Sequence, residues 1–225
     1  HIISGFLGAG KTTLLKYLLT QKPEHEVWAV LMNEFGQIGV DQHMLTQTEG
    51  YEVKELLGGC LCCSSQLPMQ IALSRLISET QPDRLFIEPT GLGHPAQLLE
   101  QLTEPHWQQN IAMQALITVV DGSRLHDEAW SKQNLYTDQL KAAQIMIISH
   151  VDRMKSVDDQ ALYNLKNEYQ AYQQTWLMST QGEITLEQIN LPYSGIKRKI
   201  QPLLHFQKKI AVGQSPPQIK TWLYY

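Results

Sequence analysis

The hydrophobic pattern of the chain alternates between short runs that are apolar throughout and longer stretches in which apolar residues recur every three or four positions. The short runs predict strands at Val27–Met32, Arg84–Ile87, Ala115–Val120, Ile145–Ser149 and Thr175–Met178. The periodic stretches predict helices at Thr13–Leu19, Gln70–Glu79, Ala96–Leu102, Leu135–Ala143 and Asp158–Tyr172. Strands that are apolar throughout are covered on both sides, so this order is typical of an α/β fold with a mostly parallel sheet and helices on both faces.

Residues suited to binding follow the ends of the predicted strands. Gly5–Thr12 comes after a first strand that ends at Ser4, and Asn33–Gly36 comes after the second. Glu88–Gly91 follows the third strand, and Ser149–Asp152 follows a later one. Ligands of such sheets lie beyond the carboxyl ends of the strands. We therefore expect these segments to form one site at one edge of the sheet.

The segment from Gly5 to Thr12 has the pattern of a phosphate-binding loop, which is Gly, four residues, then Gly-Lys-Thr. Gly5, Gly8 and Gly10 allow successive backbone N–H groups to turn towards phosphate oxygens, and the start of the following helix adds its partial positive charge. Lys11 is expected to reach the β- and γ-phosphates, and the Thr12 hydroxyl to ligate Mg²⁺. The strand and helix around the motif disfavour the alternative, a glycine-rich turn that binds nothing.

The sequence Glu88-Pro-Thr-Gly91 ends an apolar strand. We expect the Glu88 carboxylate to hold Mg²⁺ through water, and Gly91 to be the pivot of a loop that orders around the γ-phosphate. Taken alone, the motif is more often a simple strand end, but the phosphate-binding loop upstream favours the functional interpretation. His94, three residues further on, is a candidate switch residue or transient metal ligand, or it simply packs near Pro95.

Three cysteines, Cys60, Cys62 and Cys63, lie within four positions of a loop after Gly58-Gly59. So short a span disfavours a disulfide between them, and thiolates suit Zn²⁺, Cu⁺ and other thiophilic ions. Three ligands leave a fourth position open, as suits a site that releases its metal. Glu34, in a candidate first switch, is placed to touch either this metal or Mg²⁺. Three buried small side chains, or a redox-reactive thiol cluster, remain alternatives.

The segment Ser149-His150-Val151-Asp152 stands where P-loop GTPases carry Asn-Lys-x-Asp. Asp152 is expected to accept hydrogen bonds from the guanine N1–H and N2–H₂ groups, which adenine does not offer. His150 replaces the lysine that covers the base and would stack there instead. Ser149 replaces asparagine, so a hydrogen bond that normally braces the loop is expected to be shortened or lost. The alternative role for Asp152 is to cap the following helix.

Composition narrows the class of protein. The 225 residues are 43% hydrophobic, enough for one large domain, and the net charge of −4 with a pI of about 6.1 gives no basic footprint for nucleic acid. No apolar run reaches the roughly 18 residues that span a membrane. The chain opens inside a strand, so no signal peptide is expected. Three crowded cysteines do not form a disulfide framework, which fits a reducing cytoplasmic compartment.

Together the five motifs resemble, in order and approximate spacing, the CobW-like GTPases, which are metallochaperones related to the nickel-insertion GTPases of urease and hydrogenase. The resemblance covers roughly residues 1–182, and the Cys-x-Cys-Cys between the phosphate-binding loop and Glu-x-x-Gly is its most specific mark. The resemblance implies that GTP phosphates and Mg²⁺ are bound at Gly5, Gly8, Ala9, Gly10, Lys11, Thr12 and Thr13. It implies that zinc or a related ion is bound by Cys60, Cys62 and Cys63, with Glu34 nearby. It also implies a Walker-B-type segment at Glu88–Gly91 and a guanine-contacting loop that contains Thr180.

The motifs and the resemblance predict a cytoplasmic, Mg²⁺-dependent GTPase that couples slow hydrolysis to loading or release of a thiolate-bound divalent metal, most simply Zn²⁺. Its expected partners are GTP or GDP and a client metalloprotein, without nucleic acid or membrane, and a homodimer is left open. Residues 1–182 are expected to form the GTPase domain, and 183–225 an incomplete or truncated second domain ending in an edge strand at Ile219–Tyr225. Two alternatives stay open: an ATP-dependent phosphotransferase, and a metal or redox sensor that binds nucleotide without productive hydrolysis.

Overall fold

The computed structural model describes residues 1–32, 51–55, 67–89, 91 and 94–195. Its strands are β1 Ile3–Gly5, β2 Trp28–Met32, β3 Tyr51–Glu55, β4 Arg84–Glu88, β5 Ile117–Asp121, β6 Ile145–Ser149 and β7 Thr175–Met178. The helices of the described residues are α1 Lys11–Leu19, α2 Leu67–Thr80, α3 Pro95–Leu102, α4 Pro105–Gln108, α5 Glu128–Ser131, α6 Asn134–Ala142, α7 Ser156–Tyr169 and α8 Leu186–Ile189.

The strands form one parallel arrangement with β1 near its centre. β1, β5, β6 and β7 pair in that order, and β3, β2 and β4 pair in a second group, all in parallel. A parallel bridge between Ile2 and Ile87 joins the two groups, and Ile87 N–H donates to the His1 carbonyl at 2.8 Å. The order is therefore β3-β2-β4-β1-β5-β6-β7, which confirms the predicted α/β class and parallel sheet.

Successive residues of the strands face opposite sides of the sheet and enter two separate hydrophobic clusters. Ile2 belongs to one cluster and Ile3 to the other, and the same alternation separates Ile148 from Ile147. The first cluster contains side chains of α2, α3, α6 and α7, and the second contains those of α1 and α8. Helices thus cover both faces, as the continuously apolar strands predicted.

The predicted element boundaries differ from the observed ones where tertiary contacts decide them. β6 and β7 have the predicted bounds, whereas the strand predicted at Ala115–Val120 begins two residues later. Ala115 is buried like a strand residue, but its N–H donates to the Leu191 carbonyl at 2.6 Å. The helix predicted to continue to Tyr172 ends at Tyr169 and is followed by a 3₁₀ turn. The predicted strand Ile219–Tyr225 lies outside the described residues.

Residues after β7 pack onto the same core as the rest of the chain. Ile184 and Ile189 are buried in the cluster that contains α1. Gln21, just after α1, donates to the Ile184 carbonyl at 2.9 Å and accepts from the Leu186 N–H at 3.1 Å. The boundary expected at residue 182 stays a prediction.

None of the helices in the described part of the chain combines the length and the apolar character needed to cross a bilayer.

Candidate functional site

β1 has neighbours from the two halves of the chain, and this position defines the crevice at the carboxyl edge of the sheet. The chain passes from β1 to the strands on one side, β2 to β4, and then to β5, β6 and β7 on the other. Such a reversal of strand order is where parallel α/β sheets bind their ligands. The loop after β1 and the described segments after β4, β5, β6 and β7 all begin at this edge.

The loop after β1 leads directly into α1. Gly10 has φ 93° and ψ 20°, a left-handed conformation that favours glycine, and its carbonyl accepts from the Leu14 N–H at 3.0 Å. Lys11, the first residue of α1, is buried, and its Nζ donates to the Phe6 carbonyl at 3.3 Å. The lysine ammonium therefore lies back over the loop, beside the start of a helix whose unpaired N–H groups attract anions.

Thr12 and Glu88 meet across the crevice. The Thr12 hydroxyl donates to Glu88 Oε1 at 3.0 Å, and the Glu88 carboxyl is buried at the end of β4. A hydroxyl and a carboxylate are hard oxygen donors of the kind that Mg²⁺ selects, and Mg²⁺ usually keeps several waters beside one or two such protein ligands. The donor set at this point fits Mg²⁺.

Gly91 lies against the phosphate-binding loop and accepts a hydrogen bond from a side chain of α6. A Cβ at Gly91 would stand 2.8 Å from the Leu7 backbone nitrogen, so only glycine fits this approach. The Gly91 carbonyl accepts from Gln139 Nε2 at 3.0 Å, and Gln139 is 1% exposed. Sequence reasoning missed Gln139. The available signal was a polar residue on the buried face of a helix, next to Leu140 and three positions after Tyr136.

Ser149 braces the phosphate-binding loop, which corrects the expectation that the brace is shortened or lost. Its hydroxyl lies 2.7 Å from the Ala9 carbonyl, and the residue is buried at the end of β6. The short side chain suffices because β6 and β1 are both neighbours of β5, so the end of β6 lies close to the loop.

His150 connects this brace to an acidic residue that sequence reasoning missed. It has φ 52° and ψ 36°, and its Nδ1 lies 3.0 Å from Ser149 Oγ and 3.4 Å from Asp121 Oδ1. Asp121 ends β5, and its carboxylate accepts from the Ser123 N–H at 3.0 Å. The signal for Asp121 was an Asp-Gly-Ser sequence directly after an apolar strand.

Asp152 does not cap the following helix. Its side chain is 48% exposed, and the start of α7 is held by Asp158, which accepts from the Lys155 N–H at 2.9 Å and pairs with His126 Nδ1 at 2.5 Å. Burial alone would raise the pKa of Asp158, but the hydrogen bonds from His126 and Lys155 reverse this, so its pKa lies below the ordinary value. The Asp152 carboxylate is left facing solvent beside the crevice.

The loop after β7 contacts both α1 and the loop after β6. The Val151 N–H approaches the Ser179 carbonyl at 3.5 Å, and Thr180 is half-buried. Gly182 has φ 82°, and a Cβ there would stand 2.8 Å from the Thr13 carbonyl. Thr180 and Asp152 thus belong to adjoining loops at the same edge.

Glu34, Cys60, Cys62 and Cys63 lie outside the described residues. Within the described ranges, no group of three or more His, Cys, Asp or Glu side chains is arranged to hold a metal ion. His94 is exposed and immediately precedes α3.

A cavity at the opposite, amino-terminal edge of the sheet is lined by His1, Arg84 and Gln114 among others, and it contains none of the predicted site residues.

Residues 1–176 match the family described as CobW/HypB/UreG, nucleotide-binding domain. The chain is 45% identical over 162 residues to the zinc chaperone YeiR of Escherichia coli. This match covers 72% of this chain and 49% of that protein. It is 31% identical over 198 residues to the zinc chaperone CobW of Pseudomonas aeruginosa, covering 74% of this chain and 52% of that protein. The chain therefore spans about half the length of these curated relatives.

The fold is also similar to a solved structure, that of Zn(II)-bound YjiA GTPase from Escherichia coli. The TM-score is 0.54 at 25% sequence identity, and the match covers 84% of this chain and 59% of that one.

The Gly182→Ala variant is expected to loosen the contact between the loop after β7 and α1. The added methyl group meets the Thr13 carbonyl, and we expect a loss of about 2–4 kcal/mol in unfolding free energy, measured by urea denaturation. Gly195→Ala is the matched control because Gly195 has nearly the same φ, 84°, with nothing within 4 Å of its Cβ position. Equal losses in the two variants would mean that the close approach costs nothing.

Proposed function

Because this chain belongs to the CobW/HypB/UreG family of nucleotide-binding domains, we propose that it is a GTPase that binds GTP with Mg²⁺ and carries zinc as a metallochaperone. The observation that carries the nucleotide part is the meeting of Thr12 and Glu88 at 3.0 Å, beside Lys11 and the start of α1. These groups combine a cation, a helix N-terminus and hard oxygen donors in one crevice. Phosphoryl transfer needs that combination more than it needs covalent chemistry.

Each described residue has a defined task in this proposal. Lys11 neutralises charge on the β- and γ-phosphates, and the backbone N–H groups at the start of α1 bind phosphate oxygens. Thr12 would hold Mg²⁺ directly and Glu88 would hold it through water, and the ion would supply further charge neutralisation for the phosphates. Gly91 is the pivot of the loop that orders around the γ-phosphate. Its close approach to Leu7 supports this role, because a side chain at position 91 would not fit against the phosphate-binding loop.

Turnover is proposed to be slow. Gln139 adjoins Gly91, but its amide donates to the Gly91 carbonyl and is buried, so it is not arranged to orient an attacking water. Hydrolysis is therefore proposed to rely on charge neutralisation more than on a side chain that positions water. We expect a rate well below the roughly 1–100 s⁻¹ that is typical of kinases.

Guanine selection is assigned to Asp152. Its exposed carboxylate is an acceptor for the two guanine donors. The residues just before it are held by the hydrogen bond of Ser149 to Ala9 and by the contact of Val151 with Ser179. Thr180 lies in the adjoining loop and completes the base pocket. This assignment separates the GTPase from the alternative of an ATP-dependent phosphotransferase.

Zinc is proposed as the cargo, bound by Cys60, Cys62 and Cys63 with Glu34 nearby, and delivered to a client metalloprotein. Three neighbouring thiolates suit Zn²⁺, and the two curated relatives named above are zinc chaperones. A metal or redox sensor without productive hydrolysis would also use the three thiolates. In such a protein, however, GTP hydrolysis would not be coupled to metal binding or release.

Lys11→Ala is expected to abolish GTP hydrolysis and weaken nucleotide binding, because the γ-phosphate loses its main protein cation. Phosphate release and fluorescent-nucleotide titration measure the two effects. Lys16→Ala is the control, since it removes a lysine further along the same helix and should leave turnover unchanged. A Lys11→Ala protein that hydrolyses GTP at the wild-type rate would refute the enzymatic function.

Asp152→Asn is expected to weaken GTP binding by about 1–3 kcal/mol and to improve binding of xanthosine triphosphate. Xanthine carries a carbonyl where guanine carries its amino group, and an amide side chain can donate to it. Competitive titrations of GTP, ATP and xanthosine triphosphate test this, with Asp159→Asn on α7 as the charge-matched control. Equal or tighter binding of ATP by the wild type would favour the phosphotransferase.

Zinc affinity of the reduced protein is expected to differ with and without a non-hydrolysable GTP analogue, by a coupling of about 1–3 kcal/mol. Linkage requires zinc to change the affinity for the analogue by the same factor. Changing Cys62→Ser and Cys63→Ser together should remove the zinc binding, whereas His25→Ala, an exposed histidine before β2, should not. Undiminished zinc binding in the double variant would eliminate the site, and identical affinities in both nucleotide states would eliminate the coupling.

A further inference from the structure

Four groups form a continuous chain of contacts beside the phosphate-binding loop, made of two hydrogen bonds and one ion-pair contact. Asp121 Oδ1 lies 3.4 Å from His150 Nδ1, and this nitrogen lies 3.0 Å from Ser149 Oγ. Ser149 Oγ in turn lies 2.7 Å from the Ala9 carbonyl oxygen. The chain joins the ends of β5 and β6 to the loop after β1.

The Ser149 hydroxyl has one proton and three acceptors within reach. These are the Ala9 carbonyl at 2.7 Å, the Val120 carbonyl at 3.1 Å and, in one tautomer of the ring, His150 Nδ1 at 3.0 Å. Nδ1 accepts only when the imidazole proton is on Nε2. In that tautomer the hydroxyl proton is drawn away from Ala9. With the proton on Nδ1, the ring donates to Ser149 and the hydroxyl donates to a carbonyl.

The Asp121 carboxylate lies where it favours one of the two tautomers. An ionised carboxylate only accepts hydrogen bonds, so its approach to Nδ1 favours the proton on that nitrogen. The carboxylate is fixed in place, since its side chain is 11% exposed and Oδ1 also accepts from the Ser123 N–H at 3.0 Å and the Ser123 hydroxyl at 2.7 Å.

The orientation of the Ala9 carbonyl fixes that of the next N–H group. The C=O and N–H of a trans peptide point in opposite directions, and no described peptide of this chain is cis. A carbonyl held by Ser149 therefore directs the Gly10 N–H away from Ser149. His150 lies beside the same segment, because its Cε1 is 3.6 Å from the position that a Cβ on Gly10 would take.

We propose that Asp121 is a positioning residue for nucleotide binding: it holds His150 with its proton on Nδ1, so that the Ser149 hydroxyl holds the Ala9–Gly10 peptide of the phosphate-binding loop. The inference rests on the proposed nucleotide function. It also explains how Ser149 and His150 can replace the usual asparagine and lysine. A serine hydroxyl can rotate freely, and the Asp121 carboxylate, acting through His150, fixes the direction in which it donates.

The variant that tests this is Asp121→Ser. Serine is a good N-cap, so the turn at Gly122–Arg124 keeps a capping oxygen, but its hydroxyl does not carry the carboxylate to His150. Long-range ¹H–¹⁵N NMR of the ring reports the tautomer, and titration with fluorescent GDP reports affinity. We expect the Nδ1–H tautomer in the wild type, its partial loss in Asp121→Ser, and an affinity about twofold to tenfold weaker, the effect of one hydrogen bond.

Two further variants separate positioning from stability. Asp121→Asn keeps an acceptor oxygen at Oδ1, so it should retain the Nδ1–H tautomer of His150 and the wild-type affinity for GDP, unlike Asp121→Ser. Ser123→Ala removes one hydrogen bond to the cap but leaves the carboxylate beside His150, so it should lower the melting temperature without changing the tautomer. If the role of Asp121 were purely structural, the loss of nucleotide affinity would follow the loss of stability in the same proportion in Ser123→Ala and in Asp121→Ser.

A double-mutant cycle with Ser149→Ala completes the test. The effect of Asp121→Ser on affinity should vanish in the Ser149→Ala background, because the hydroxyl through which it acts is gone. Equal effects in both backgrounds, or a wild-type tautomer in Asp121→Ser, would overturn the proposal. The tautomer is measured in nucleotide-free protein, so a wild type that binds no nucleotide refutes the proposed function without deciding what Asp121 does to His150.

Discussion

The position of β1 between β4 and β5 is the constraint on which the candidate site depends. β1 contributes three residues to the sheet, yet its parallel neighbours bring Glu88 and Asp121 to the same edge as the loop that follows it. The pairing of β5 with β6 then places Ser149 within 2.7 Å of Ala9. Loss of this register would separate the carboxylate of β4 from Thr12 and the hydroxyl of β6 from the loop.

Much of the fold was predictable because buried parallel strands leave a strong signal. Ile145–Ser149 is buried throughout and has the predicted bounds. Thr175–Met178 is partly exposed, and it has the predicted bounds because polar residues flank its run of Trp, Leu and Met. The helices α4, α5 and α8 were missed because four residues are too few to show a helical period.

The site was predictable only where a local motif specifies it. Lys11, Thr12 and Glu88 have the positions that their motifs indicated. Gln139 and Asp121 each had a weak local signal, but their partners lie 48 and about 29 residues away in sequence, and the signal does not show what each residue contacts. The expectation for Ser149 was wrong for a related reason: its reach to Ala9 depends on how closely β6 stands to the loop, and side-chain length alone does not show that distance.

The hydrogen bond between Gln139 and Gly91 limits how the loop after β4 can move. Gln139 is 1% exposed, and a Gly91 carbonyl that moved alone would take an acceptor from a buried amide, at a cost of about 1–3 kcal/mol. α6 also carries Tyr136, whose ring lies 6.3 Å from that of Phe6, and Phe6 lies 4.8 Å from the Trp130 ring. The Gly91 backbone is thus tied through Gln139 to the same helix whose Tyr136 packs on Phe6, so the loop after β4 and the ring of Trp130 belong to one continuous set of contacts.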